Sequence, residues 1–121
     1  MHAATATDKP SPEPEDERLD QLFHALADRT RRALLTRLAQ GDAGVTALAE
    51  PFAMSLPAVS KHLRVLEGAG LVSRTVEGRV HRCALETERL WEAEQWVEEQ
   101  RRFWQGSLDS LAEYVEARED G

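Results

Sequence analysis

Cysteine is nearly absent: Cys83 stands alone among 121 residues. A single thiol excludes an intramolecular disulfide framework and a cysteine-rich zinc site. It fits a reducing compartment, so a cytoplasmic location is expected. No apolar run approaches the roughly 20 residues needed to span a bilayer, and no membrane partner is expected. Met1 to Asp20 is acidic and lacks an apolar core, so a secretory signal is not expected there. There is no Gly-rich phosphate loop, nucleophile elbow or paired-histidine zinc motif, so neither an enzyme nor a cofactor is expected. The four histidines, His2, His24, His62 and His81, fall in four separate segments, and residues 86–121 contain none. Zinc needs convergent ligands, so no metal site is expected.

Positive charge is also scarce, with 15 Lys and Arg against 22 Asp and Glu, a net charge of −7. Taken whole, that balance argues against a phosphate-binding protein. Its distribution argues the other way. Residues 1–20 carry six acids and two bases, net −4; residues 21–85 carry five acids and nine bases, net +4; residues 86–121 carry eleven acids and four bases, net −7. A basic middle between acidic ends points to a partner of opposite charge for the middle.

The length suits one domain. Residues 1–16 hold Pro10, Pro12 and Pro14 among small and acidic residues, and read as a disordered tail, with the folded domain over 17–118. Leu19, Leu22, Phe23 and Leu26 then recur at helical spacing. Asp28 can cap a second helix that buries Leu34, Leu35 and Leu38 and ends around Gly41 and Gly44. Val45, Leu48, Ala49 and Phe52 give a short third helix. Ser55 caps a fourth, with Pro57 in its first turn, Val59, Leu63 and Leu66 inward, and Ser60, Lys61, Arg64 and Glu67 outward. From Leu71 the period shortens towards two, and runs on either side of Gly78 read as a hairpin. Thr87 can cap a last helix over 88–118 with the stripe Leu90, Val97, Trp104, Leu108, Leu111 and Val115, a coiled-coil-like seam. Trp91, Trp96, Phe103 and Tyr114 widen that face, and Gly106 allows close packing or a bend within it. The fold class is thus mainly α with a small β-hairpin: a winged helix-turn-helix.

That order carries a chemistry. One helix fits the roughly 12 Å major groove and presents its N-terminal residues to base edges. Ser60 and His62 can donate and accept, Leu56 and Ala58 can meet a thymine methyl, and Lys61 and Arg64 can meet phosphate or guanine. The hairpin offers Arg74, Arg79, His81 and Arg82 beside Gly78, suited to a wing against the backbone or minor groove.

Four strings in this order, Leu22 to Arg32, Ser55 to Leu66, Gly68 to Val72 and Glu77-Gly78-Arg79, resemble the ArsR-type winged-helix transcriptional repressors over about 65 residues. The resemblance implies a homodimer that binds double-stranded DNA at an imperfect inverted repeat and represses. Matched position by position, its recognition-helix contacts fall on Ser55, Leu56, Pro57, Ala58, Ser60, Lys61, His62 and Arg64. Its wing contacts fall on Arg74, Gly78, Arg79 and His81, and Thr30 and Arg31 are placed at a phosphate. The expected dimer interface joins the first and last helices through Leu19, Leu22, Phe23, Trp96, Val97, Trp104, Leu108, Leu111 and Val115. Two departures stand out. Arg29 occupies a position where the family usually has proline. Gly44-Val45-Thr46 lacks the cysteine pair of the metal-sensing members.

Other readings compete at single residues. His24 reads as a partly buried helix residue. Cys83 lies between basic residues that could activate a redox thiol, against the plainer reading of a strand residue. The Trp91, Trp96, Phe103 and Trp104 cluster reads as dimer core rather than a ligand pocket. For the whole chain the alternative is a winged-helix protein-interaction module that no longer binds DNA. The bases at Lys61, Arg64, Arg74, Arg79 and Arg82, against only Glu67 and Glu77, weigh against it.

Overall fold

A computed structural model describes residues 14–120. Eight elements follow in order: α1 (Pro14–Leu26), α2 (Arg29–Leu38), β1 (Ala43–Gly44), α3 (Val45–Ala49), α4 (Leu56–Gly68), β2 (Val72–Glu77), β3 (Val80–Leu85) and α5 (Glu88–Asp120). Of the tail expected over 1–16, residues 1–13 lie outside the described residues. The rest is corrected: Pro14 opens α1, followed by Glu15, Asp16 and Glu17 in the first turn. Proline suits the first helical position, where its missing N–H has no intrahelical partner, and the acids complement the positive helix end. At the other end α5 continues beyond 118 to Asp120. Gly106 leaves it unbroken.

The fourth helix shows how sequence becomes geometry. Ser55 is extended and its Oγ accepts from the Ala58 N–H at 3.3 Å. Val59, Leu63 and Leu66 are fully buried, which anchors one face and turns Lys61 and Arg64 to solvent. At the C-terminus the Leu71 N–H donates to the Leu66 carbonyl at 3.0 Å and the Gly70 N–H to that of Glu67 at 2.9 Å. This is a Schellman ending, and it needs a left-handed residue. Gly70 supplies it with φ of +77°, and a Cβ there would lie 2.9 Å from Arg89 Cγ. Gly70→Ala should therefore destabilise the domain by about 1–2 kcal/mol. The check is a lower urea midpoint with an unchanged slope.

The sheet has the order β1-β3-β2, with β3 antiparallel to both neighbours. The hairpin is closed by Gly78 and Arg79. Gly78 has φ of +63° and among the described residues no non-glycine has positive φ, the pattern of a type II′ turn. The loop expected around Gly41 and Gly44 is corrected in part: Ala43 and Gly44 pair with Cys83 and Arg82. This third strand ties the connection before α3 to the middle of β3. The third helix is shorter than its apolar spacing suggests, ending at Ala49, while Phe52 still packs on the core.

All four helices of the N-terminal half send residues to one core, with Leu22, Leu34, Leu48, Leu63, Leu66, Leu71 and Cys83 fully buried. Leu22 is thereby corrected: it is sealed inside its own chain and is not available to a partner. Cys83 lies on the central strand, and burial pushes its thiol up from the ordinary value. The neighbouring bases thus do not activate it, and the thiol stays neutral and sheltered. A thiol reagent should leave the native protein unmodified while the urea-unfolded chain titrates its single cysteine. Among the described residues, no helix is long and apolar enough to cross a membrane.

Candidate nucleic-acid interface

An open groove of about 990 Å³ lies between the outer face of α4, the start of α3 and the hairpin. The 3.6-residue period dictates its floor. With Val59, Leu63 and Leu66 fixed inward, Leu56, Pro57, Ser60, Lys61 and Arg64 fall on the groove side. The two-residue period of β2 and β3 supplies the far wall, with Arg74 and His81 on one face of the hairpin and Arg79 at its turn. Lys61, Arg64 and Arg79 have no ion-pair partner among the described residues. They present unneutralised charge to the groove, as a phosphate-binding surface requires.

The remaining expected contacts are placed as follows. Ser55 and Ala58 are joined by the cap at the tip of α4, and Gly78 sits in the exposed wing turn. Thr30 is half-buried in the first turn of α2. Arg82 is exposed, and by strand alternation it faces away from His81, across from Thr75.

Two of the expected DNA contacts, Arg31 and Arg74, are held by partners within the chain. Arg31 is only 9% exposed and does not present its guanidinium at the surface. Its Nε donates to the Ala25 carbonyl at 2.8 Å, its Nη2 to that of His24 at 2.8 Å, and Nη1 lies 3.3 Å from His62 Nδ1. The cause is the end of α1. No glycine closes that helix, so its last carbonyls need donors from elsewhere. Arg32 completes the set by donating to the Leu26 carbonyl at 2.8 Å.

Arg74, expected as a wing contact, is the second. Its Nε donates to Glu67 Oε1 at 2.9 Å, and its Nη2 lies 2.6 Å from the same oxygen as an ion pair without hydrogen-bond geometry. Nη1 is 3.4 Å from His81 Nδ1. Arg74 thus spends its charge locking the wing to the C-terminal half of α4. Glu67, read as an outward charge, becomes the partner that fixes the groove's width.

His62 turns away from the groove towards the start of α2. Its Nδ1 lies 3.7 Å from Asp28 Oδ2 as well as beside Arg31. Asp28 caps α2 by accepting from the Arg31 N–H at 3.0 Å. That bond holds its carboxyl below the ordinary value against desolvation, with His62 and Arg31 acting in the same direction. The cap is therefore ionised at neutral pH, and its stabilisation is lost only as pH falls through the depressed value.

Val45, Thr46 and Ala47 also line the groove, opposite α4. They were not among the sequence candidates. The signal was available: in a helix-turn-helix the first helix of the pair crosses the DNA backbone, and Thr46 is an exposed hydroxyl at the start of that helix.

Outside the groove, α5 shows an apolar stripe to solvent, interrupted by Arg101. Val97, Trp104, Leu108, Leu111 and Val115 are all more than two-fifths exposed. Phe23 of α1 joins this face by an edge-on contact with Trp96, ring centroids 5.6 Å apart. Leu19 is half-buried against the core nearby. Among the described residues no cluster of three or more His, Cys, Asp or Glu could hold a metal ion.

A short helix, a turn, a helix with a charged outer face and a β-wing enclosing one groove define a winged helix-turn-helix regulator. The comparisons with known proteins agree. The helix-turn-helix domain family matches residues 26–75. The HTH-type transcriptional regulator Rv2034 of Mycobacterium tuberculosis is 37% identical over 101 residues, 84% of this chain and 92% of that one. The transcriptional repressor SdpR of Bacillus subtilis is 33% identical over 79 residues, 65% of this chain and 88% of that one. A crystal structure of an ArsR family transcriptional regulator is similar with a TM-score of 0.72 and 44% identity, covering 79% of this chain and 97% of its own. The chain belongs to the ArsR family of helix-turn-helix transcriptional regulators.

Proposed function

We propose that two copies of the chain bind an inverted-repeat operator and repress the adjacent genes. The observation that carries this reading is the groove, where Lys61, Arg64 and Arg79 stand around Ser60 with no ion-pair partner among the described residues. Each copy places the N-terminal half of α4 in a major groove and the Arg79 wing turn against the flanking backbone. The apolar face of α5, with Phe23 and Trp96, supports a homodimer, because an exposed apolar stripe of this length needs cover. Two-fold symmetry then sets the half-sites about 34–36 Å apart, one helical turn. Repression is favoured by likeness to a relative named as a repressor. No metal and no cofactor enter this reading.

The test is selection of bound fragments from genomic DNA by the purified protein. An inverted repeat with that spacing, near the chain's own promoter or another, is the expected result. A folded dimer that selects no DNA would instead favour the protein-interaction module.

A further inference from the structure

We infer that Arg31 is a positioning residue for DNA reading: it fixes the angle between the dimer-forming helix α1 and the recognition helix α4 through His62. This rests on the operator-binding reading above.

The geometry is a three-way junction. One guanidinium, 9% exposed, bonds the His24 and Ala25 carbonyls of α1 and approaches the His62 ring of α4, while its own backbone N–H is held by the Asp28 cap. Burying a guanidinium is costly unless its donors find acceptors. Among the described residues no carboxylate accepts a hydrogen bond from it. Its charge is met by the negative end of α1 and by the nearby Asp28. An apolar side chain could fill that space without the cost, but it could not hold three elements in one register. Arginine has only donors, so in the contact with Nη1 it is Nδ1 of His62 that accepts.

The junction lies on the short path between the two surfaces the protein uses. Phe23, on the α5 face with Trp96, precedes His24 directly; His62 lies between Lys61 of the groove and Leu63 of the core. A shift of α1 at the dimer face therefore moves the recognition helix through two hydrogen bonds. The consequence is selectivity for half-site spacing, because the angle between α1 and α4 sets how far apart two recognition helices lie.

The experiment compares the wild type with Arg31→Lys, His62→Leu, His62→Gln and the double variant Arg31→Lys/His62→Leu on the selected operator, and on operators with one base pair added or removed between half-sites. Lysine carries its three donors on one nitrogen and cannot reach acceptors spread around the planar guanidinium, whereas glutamine can still accept from Arg31. Arg31→Lys and His62→Leu should each weaken binding about tenfold, and the double variant should be no weaker than either, since both remove one coupling. His62→Gln should stay within about threefold of wild type. The single variants should also lose discrimination between spacings. The slope of log affinity against log salt should not change, whereas a lost phosphate contact lowers it by about 0.9. Circular dichroism checks that each variant is folded; should Arg31→Lys not fold, His62→Leu against His62→Gln carries the spacing test alone.

Additive losses, a reduced salt slope, or unchanged spacing preference in the folded variants would overturn the inference. A wild type that selects no DNA would overturn the operator-binding reading itself, whereas a binding wild type matched by its variants would overturn only the role of Arg31.

Discussion

Lys61→Glu together with Arg64→Glu should reduce operator affinity at least about 100-fold while leaving the fold intact. Both residues are exposed, line the groove and lack partners among the described residues. Their removal therefore strands no buried group, and the effect on stability should stay within about 0.5 kcal/mol. The effect on binding is large because like charges placed against phosphate cost several kcal/mol, and a dimer carries each change twice. The neutral variant Lys61→Ala separates charge from shape. It should lower the salt slope by about 0.9 per lost phosphate contact, or about 1.8 for a dimer. A gel-shift titration across salt concentrations reads both numbers. Binding within about threefold of wild type for the double reversal would mean that α4 does not face DNA.

The second large effect concerns assembly. Leu108→Glu with Leu111→Glu should give a folded monomer with operator affinity reduced about 10²–10⁴-fold, the range lost when two half-site contacts are no longer linked. Both leucines are more than half exposed in the single chain. Truncation there takes nothing from the core built on Leu22, Leu63 and Leu66. A glutamate pair in a two-fold seam meets its own copy, so repulsion adds to lost burial. Sedimentation reads the assembly, and the melting temperature of the wild type should rise with protein concentration where that of the variant should not. A dimeric variant would move the interface away from this part of α5.

Much of this structure was legible because its signals are local. Ser55, Pro57 and the Val59, Leu63, Leu66 period fix a helix and its inward face within thirteen residues. What escaped depends on contacts between elements. Leu22 and Phe23 lie on one stripe, and periodicity cannot say that Leu22 closes its own core while Phe23 meets Trp96. β1 has two residues, too few to show a period. Pro14 among other prolines reads as tail, although proline followed by three acids is also a helix start.

The basic middle segment sharpened most under the structure. Of its nine bases, Arg31 is buried under α1, Arg74 is paired with Glu67, and Arg32 and Arg37 donate to the Leu26 and Gly41 carbonyls. A sequence position gives a charge but not the carbonyls it must satisfy. The missing glycine at the end of α1 was the available sign that neighbouring arginines would be drawn inward. The unpaired charge that faces the groove is a small set, Lys61, Arg64 and Arg79, while Arg29 and Arg82 are exposed elsewhere. A footprint that small leaves a larger share of discrimination to base contacts by Ser60 and its neighbours.

The most direct measurement is the slope of log affinity against log salt for the wild-type protein on its selected fragment, with stoichiometry determined in parallel. The three groove bases of each copy, taken over two copies, give six phosphate neutralisations, a slope near −5 on B-form DNA. The expected result is a straight line with a slope between about −3 and −5 and two chains on each inverted repeat. A slope near zero, or one chain on each fragment, would contradict a dimer reading DNA through this groove.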